Sequence, residues 1–356
     1  MLPVEVGASL LPVTPAPPFS WEQTLRALVG FGAVPDRGRP VTLGGAPIDP
    51  AELTAGTGWE LAVQLGEVDG GPAIVRLEPA EGEGPYAPDL KLTVVGRHDV
   101  TLADAQSVWD QLDQFLALSL ALDPLVEESR NDPAFQPVLA ALYGFHPPRF
   151  RSAFQAACWT VVRQRTPQGF AVGTMERLTA LLGSEVQAKD GACLRLFPAP
   201  GRLAHGARTE LVAATNNLRK VERLEGLATE FASVDERELV TADYAAVLKW
   251  LKSLPGLGPW SAEQVMWRGL GRVERTPWLD TGALSAVSAV YTPGLTLVKG
   301  AARELARHYD DLQGVWLAYL KAYPRVSAQP ASTAPLGAES AGSAGRDTRG
   351  HPSVRS

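Results

Sequence analysis

Cysteine is nearly missing from this 356-residue chain, which has only Cys158 and Cys193. Two thiols exclude a disulfide framework, a four-cysteine zinc site and a four-cysteine iron–sulfur cluster. Histidine is also sparse. His98, His146, His205, His308 and His351 are scattered and read as surface or structural residues, not as a ligand set. No uninterrupted apolar run is long enough to span a bilayer. The proline-rich start carries Glu5 and lacks the basic opening of a signal peptide, so a cytoplasmic protein is expected. There is no Walker loop, no His-Glu-x-x-His and no Gly-x-Ser-x-Gly. Gly256-x-Gly258 lacks a third glycine and follows a helical pattern, so the dinucleotide fingerprint fails too.

What is present fits a soluble globular chain of two or three domains, with 45% hydrophobic and 20% charged residues. The net charge of −6 hides an asymmetry. Residues 1–145 hold 7 basic and 20 acidic residues, whereas residues 146–325 hold 23 basic and 17 acidic. A basic half of this kind is compatible with a polyanion, or with an evenly solvated surface. No solenoid-length repeat is evident.

Patterning along the chain predicts an α+β protein. Residues 1–18 read as an irregular lead-in or edge strand. Phe19 to Gly30 reads as a helix capped by Ser20. Trp59–Leu65, Ala73–Leu77 and Leu90–Val95 read as antiparallel strands, with a turn at Asp69-Gly-Gly71 and a loop at Glu78–Asp89. From about Asp104 the pattern turns helical, and Asp123-Pro124 is expected to close the first helix. Further helices are expected at 133–143, Phe154–Gln164, Met175–Leu182, Leu211–Phe231, 281–290, 298–309 and 312–323. Residues 184–207 read as loop. The expected division is 1–103 as a small α+β domain with an antiparallel sheet, 104–325 as a helical body and 326–356 as a disordered tail.

The chain is organised around Leu254-Pro-Gly-Leu-Gly-Pro-Trp260. Tyr244, Val247, Leu248, Leu251 and Leu254 share one helical face before it. Ala262, Val265, Met266, Gly269 and Leu270 share one after it, with Pro259 suited to a first helical turn. Two helices joined by a tight hairpin follow. Gly256 and Gly258 permit positive φ and close backbone approach. The second helix opens with free N–H groups that suit a phosphate, although the same residues also suit an ordinary connection. Asp280 lies beyond the helix, after Thr276-Pro-Trp278 and before Thr281-Gly-Ala-Leu-Ser, where a lone Asp reads as an N-cap.

Leu-Pro-Gly-Leu-Gly-Pro-Trp-Ser-Ala-Glu, then Arg268-Gly and Pro-x-x-Asp280, resembles the helix–hairpin–helix DNA glycosylase superfamily. It is most similar to the 3-methyladenine DNA glycosylase II branch. Pro17-Pro-Phe-Ser-Trp21 and Phe154 to Pro167, with Val-Val-Arg-Gln164, extend the resemblance to about residues 15–325. The resemblance implies a DNA partner: a duplex with a damaged base, held by a monomer. It implies that amides around Gly256, Gly258 and Trp260 hold a phosphate, that Gln164 and Arg165 lie in the loop entering the gap, and that the target base is flipped. Arg165 stands where a hydrophobic wedge is usual, so it reads equally as a solvated charge or a phosphate contact. The carbonyls of Lys252, Leu254 and Leu257 match positions that bind a monovalent cation, Na or K, and no other cofactor is implied. Asp280 matches the catalytic aspartate, and Trp260, Gln264 and Thr281 fall at the base pocket. Trp260 reads as a stacking face or as core.

Strand-cutting relatives carry a lysine near the start of the second hairpin helix. This chain has Trp260 there and no lysine between Lys252 and Lys299, which favours hydrolysis by water. Gln264 replaces a common aromatic, Leu279 replaces a frequent second Asp, and Thr281 replaces an aromatic or Leu. The expected function is excision of alkylated purines without strand cleavage. The alternatives are another lesion, such as hypoxanthine, uracil or ethenoadenine, and a DNA-binding protein without activity.

Overall fold

The computed structural model describes residues 10–66, 71–80, 86–96 and 100–327. Residues 1–9 of the lead-in, Asp69 and Gly70 of the expected turn, the middle of the 78–89 loop, His98, His351 and nearly all of the tail lie outside them.

The first layer is an antiparallel sheet. Its strands are β1 (Leu10–Val13), β2 (Arg39–Val41), β3 (Gly58–Gln64), β4 (Pro72–Pro79) and β5 (Leu90–Val94), ordered β1-β5-β4-β3-β2. Register pairs Leu61 with Val75 and Leu77 with Leu92. β1 takes an edge, where Pro12 is tolerated. The apparent alternation of β3 does not give it a wet face, because every residue from Gly58 to Val63 is buried. Buried Glu60 is satisfied by Arg39 at 2.9 Å and Arg76 at 2.7 Å, as a buried carboxylate requires.

Helix α1 (Trp21–Gly30) starts where expected, with the Ser20 hydroxyl accepting the Gln23 N–H. α2 (Leu102–Leu116) opens on a capping box of Thr101 and Asp104. It ends at Ala117, in the left-handed region, and Asp123-Pro124 does not close it. Instead Pro124 sits in the first turn of α3 (Asp123–Ser129), where its missing N–H costs nothing. α4 (Gln136–Ala141) is shorter than expected, α5 (Ala153–Arg163) is as expected, and α6 (Gln168–Leu182) begins two turns early. The expected loop at 184–207 contains a hairpin of β6 (Ser184–Gln187) and β7 (Cys193–Leu196), then α7 (Pro200–Ala204). Its strands are short and only partly buried, so they leave little periodic signal. α8 (Arg208–Thr215) and α9 (Leu218–Phe231) are split by Asn216 at φ 47°. α10 (Glu236–Thr241), α11 (Tyr244–Ser253), α12 (Pro259–Gln264), α13 (Thr281–Tyr291), α14 (Lys299–Arg307) and α15 (Gln313–Ser327) complete the order.

The helix expected through Leu270 changes pitch. After α12 the residues Val265–Gly269 form one π-helical turn, closed by Leu270 N–H to the Val265 carbonyl at 2.8 Å. A Cβ at Gly269 would lie 2.8 Å from Ala156 Cβ, so the chain widens where it presses closest on α5.

One buried cluster runs from Val13 through the sheet and α1, α2, α5, α6, α9 and α11 to Leu270, so it crosses residue 103 without a break. A second cluster holds α3, α4, α13, α14, α15 and Trp267. α12 is packed in the first cluster and α15 in the second, and the segment carrying Asp280 passes between them.

Candidate active site

The hairpin is seated on α9. Gly256 has φ 80°, and a Cβ there would lie 2.7 Å from Arg223 Cδ. Gly226 is equally close to Pro255, at 2.8 Å. Gly258 differs from the expectation made for both glycines. Its φ of −84° and ψ of −179° are extended, a conformation open to any residue. It is the N-cap of α12, without a side-chain cap bond, and a Cβ there would meet nothing within 4 Å. Gly258 is therefore dispensable for packing, and it leaves the backbone at the head of α12 open to an approaching group.

The loop after α5 is tied to this hairpin. Gln164 Nε2 donates to the Gly256 carbonyl at 2.7 Å, and Arg223 donates to Gln164 Oε1 at 2.6 Å. Both ends of that amide are thus used inside the protein, which makes Gln164 the strut between loop and hairpin. Lys220 adds a second tie through the Val162 carbonyl at 2.6 Å and the Thr166 hydroxyl at 2.5 Å. Burial lowers the Lys220 pKa, and neighbouring Arg223 adds to the effect. Arg165 is exposed at the loop tip in the left-handed region, φ 51°, and projects beyond this framework.

Asp280 is the N-cap of α13, its Oδ1 accepting the Gly282 N–H at 2.8 Å. The cap reading and the carboxylate-site reading therefore coincide in one residue. The preceding peptide is pinned by Glu263, which accepts the Leu279 N–H at 3.0 Å. The next residue of α12, Gln264, donates to Asp280 Oδ2 at 3.3 Å. From α15, Lys321 Nζ lies 2.9 Å from both carboxylate oxygens. The Asp280 side chain keeps 14% exposure and that of Lys321 keeps 31%. Lys321 also sits 5.4 Å from the ring centre of Trp267, whose Nε1 is fixed on the Gly314 carbonyl at 3.0 Å. A fixed carboxylate, reached by solvent and held by three kinds of donor, can stabilise positive charge forming beside it.

The structure thus unites Asp280 with Gln264, which sequence reasoning placed in the pocket, and with Lys321 and Trp267, which it did not. Lys321 is 41 positions beyond Asp280, and its only sequence signal is a lysine within the apolar run Trp316 to Tyr323. Thr281 is exposed in the first turn of α13. Trp260 is half-buried and belongs to neither buried cluster, so the core reading of it falls away. Trp316 and Tyr319 are fully buried, with Trp316 stacked on Tyr309 at 5.5 Å, and both are core residues. Lys252 and Gly258 are exposed, whereas Leu254 and Leu257 are buried and joined by a 3.1 Å turn from Leu257 N–H to the Leu254 carbonyl. A surface hollow of about 470 Å³ lined by Tyr244, Glu263, Arg275, Trp278 and Arg303 adjoins the loop but does not include Asp280. Among the described residues no His, Cys, Asp and Glu group is arranged to hold a metal ion, and no helix is long and apolar enough to cross a membrane.

No family model matches the chain. It is 23% identical over 211 residues to a DNA-3-methyladenine glycosylase of Bacillus subtilis, covering 59% of this chain and 69% of that protein. It is 29% identical over 181 residues to a probable bifunctional transcriptional activator/DNA repair enzyme AlkA of Mycobacterium tuberculosis, covering 49% of this chain and 35% of that longer protein. The fold is similar to that of a 3-methyladenine DNA-glycosylase from Archaeoglobus fulgidus, with TM-score 0.67, 21% identity, and 90% and 99% of the two chains covered.

Proposed function

We propose that the chain belongs to the helix–hairpin–helix DNA glycosylase superfamily, on its 3-methyladenine glycosylase branch, and that it excises alkylated purines from duplex DNA without cutting the strand. The observation that carries the proposal is the Asp280 carboxylate, fixed at the head of α13 by Gln264 and Lys321 and still open to solvent. In this reading a monomer grips one strand by the amides at Gly258 and Trp260, and Arg165 faces the gap left by the flipped base. The base stacks against Trp260, whose half-exposed ring is outside both cores.

Hydrolysis follows from where the charges lie. As the C1′–N bond breaks, its electron pair leaves with the base and C1′ becomes positive. Asp280 lowers the energy of that state by its own negative charge. Water then adds to C1′ and loses a proton to the carboxylate or to solvent. No lysine occupies the head of α12, where strand-cutting members of the superfamily carry one. The hairpin cation is part of the same proposal: the carbonyls of Lys252, Leu254 and Leu257 are hard oxygen donors at the negative end of α11. A monovalent ion there would add positive charge beside the phosphate. Release of free base from methylated duplex DNA, compared between wild type and Asp280→Asn, tests the proposal. Release that survives the substitution would remove Asp280 from the chemistry.

A further inference from the structure

Lys321 places a positive charge directly beside the carboxylate on which the proposed mechanism rests. Its Nζ bridges both oxygens of Asp280 at 2.9 Å, so the carboxylate and its nearest cation form a neutral pair. The position is built into the fold. Trp267 lies beneath the ammonium at 5.4 Å, and Tyr319 and Leu320, beside Lys321 on α15, are fully buried. A Cβ at Gly282 would come within 3.5 Å of Nζ, so the head of α13 also leaves room for it. With 31% of its side chain exposed, Lys321 is reached by solvent, as the carboxylate is at 14%.

The charge balance of the reaction differs between lesions. A base alkylated on a ring nitrogen is cationic in DNA, and the departing electron pair makes it neutral. A neutral lesion such as hypoxanthine takes the same pair and departs with negative charge unless it gains a proton. A fixed ammonium beside C1′ repels the first substrate and the positive sugar of both. It attracts the negative charge that gathers on the second leaving group. Without the ammonium, Asp280 would favour the cationic base over the neutral one more strongly.

We propose that Lys321 is a specificity-determining residue of this enzyme, offsetting the Asp280 charge so that the rate of release of neutral lesions is raised relative to that of cationic ones. The inference rests on the proposed glycosylase function, and the test separates the two. Wild type, Lys321→Met and Lys321→Arg are compared first by binding to duplexes carrying two abasic analogues, a protonated pyrrolidine and a neutral tetrahydrofuran. A unit charge about 6 Å away in an effective dielectric of about 40 changes an equilibrium about tenfold. Lys321→Met is therefore expected to raise the preference for the pyrrolidine about tenfold over wild type, while Lys321→Arg keeps the wild-type preference. The same variants are then assayed for release of 7-methylguanine and hypoxanthine. The ratio of the two rates moves toward 7-methylguanine in Lys321→Met and is restored in Lys321→Arg. Lys321→Gln serves as a second neutral variant if Lys321→Met does not fold. An unchanged analogue preference, with both release rates reduced by the same factor, overturns the inference and leaves Lys321 as a mere support for Asp280. A shifted analogue preference in a protein that releases neither base upholds the charge offset and overturns the glycosylase reading instead.

Discussion

The two hairpin glycines separate packing from ligand approach, because their surroundings are opposite. Gly256 has φ 80° and presses on the Arg223 stem, whereas Gly258 has φ −84° with open space around it. Gly256→Ala forces a side chain into the left-handed region at a cost of about 1–2 kcal/mol. It also displaces Arg223, whose 2.6 Å bond to Gln164 holds the loop. Losing that bond adds about 1 kcal/mol. A total of about 2–3 kcal/mol lowers Tm by roughly 3–4 °C in a chain of 356 residues, at the usual unfolding entropy per residue. Gly258→Ala costs less than about 1 kcal/mol, the difference between Gly and Ala at an N-cap. Its methyl group instead stands where a phosphate would contact the backbone. Loss of one hydrogen bond to a charged oxygen predicts binding to undamaged and damaged duplex weakened about tenfold or more. Thermal melting and fluorescence anisotropy of both variants check this. Wild-type affinity in Gly258→Ala would refute the phosphate anchor. An unchanged Tm in Gly256→Ala would refute the packing argument.

Trp260→Ala tests the stacking face. Because Trp260 lies outside both cores, Tm is expected to move by no more than a few degrees, whereas base release drops by roughly ten- to a hundredfold, the worth of one stacking contact. A large fall in Tm with release in proportion would return Trp260 to the core. Acid stability is expected to depend on His146, which is fully buried between the Ala117 carbonyl at 2.6 Å and the Pro18 carbonyl at 3.0 Å. Burial lowers its pKa despite these two acceptors, so the unfolded chain binds the proton first as pH falls. Stability is therefore full above the ordinary histidine value of about 6.5 and declines as pH drops below it. Melting curves between pH 7.5 and 5.5 should show a shallower decline in His146→Gln, and equal slopes would contradict the assignment.

The parts of the fold visible in the sequence are those governed by short-range rules. Ser20 and Asp280 cap the helices they precede, because an N-cap needs only a side-chain oxygen two or three residues before a free N–H. The three central strands and the hairpin helices follow from apolar spacing. Asp123-Pro124 was misassigned because the same dipeptide can close one helix or open the next, and only packing decides. The 184–207 hairpin is too short and too exposed for alternation to register. The π-turn at Val265–Gly269 lies where the chain is closest to Ala156, a contact across more than a hundred residues that no local pattern encodes. The site divides in the same way. Asp280 was legible by motif and Gln264 by position. Gln164 was placed in the right loop, but its strut to Gly256 spans 92 residues. Lys321 reaches Asp280 from α15, 41 residues further along the chain, a distance over which no local pattern operates.

The most direct test of the central claim is a single-turnover measurement of free base released from methylated duplex DNA by wild type and Asp280→Asn at matched DNA occupancy. The account predicts release by wild type, a loss of at least about a hundredfold in the variant, which removes several kcal/mol of charge stabilisation, and retained DNA binding. Equal release by the two proteins, or tight binding with no release by either, would contradict it.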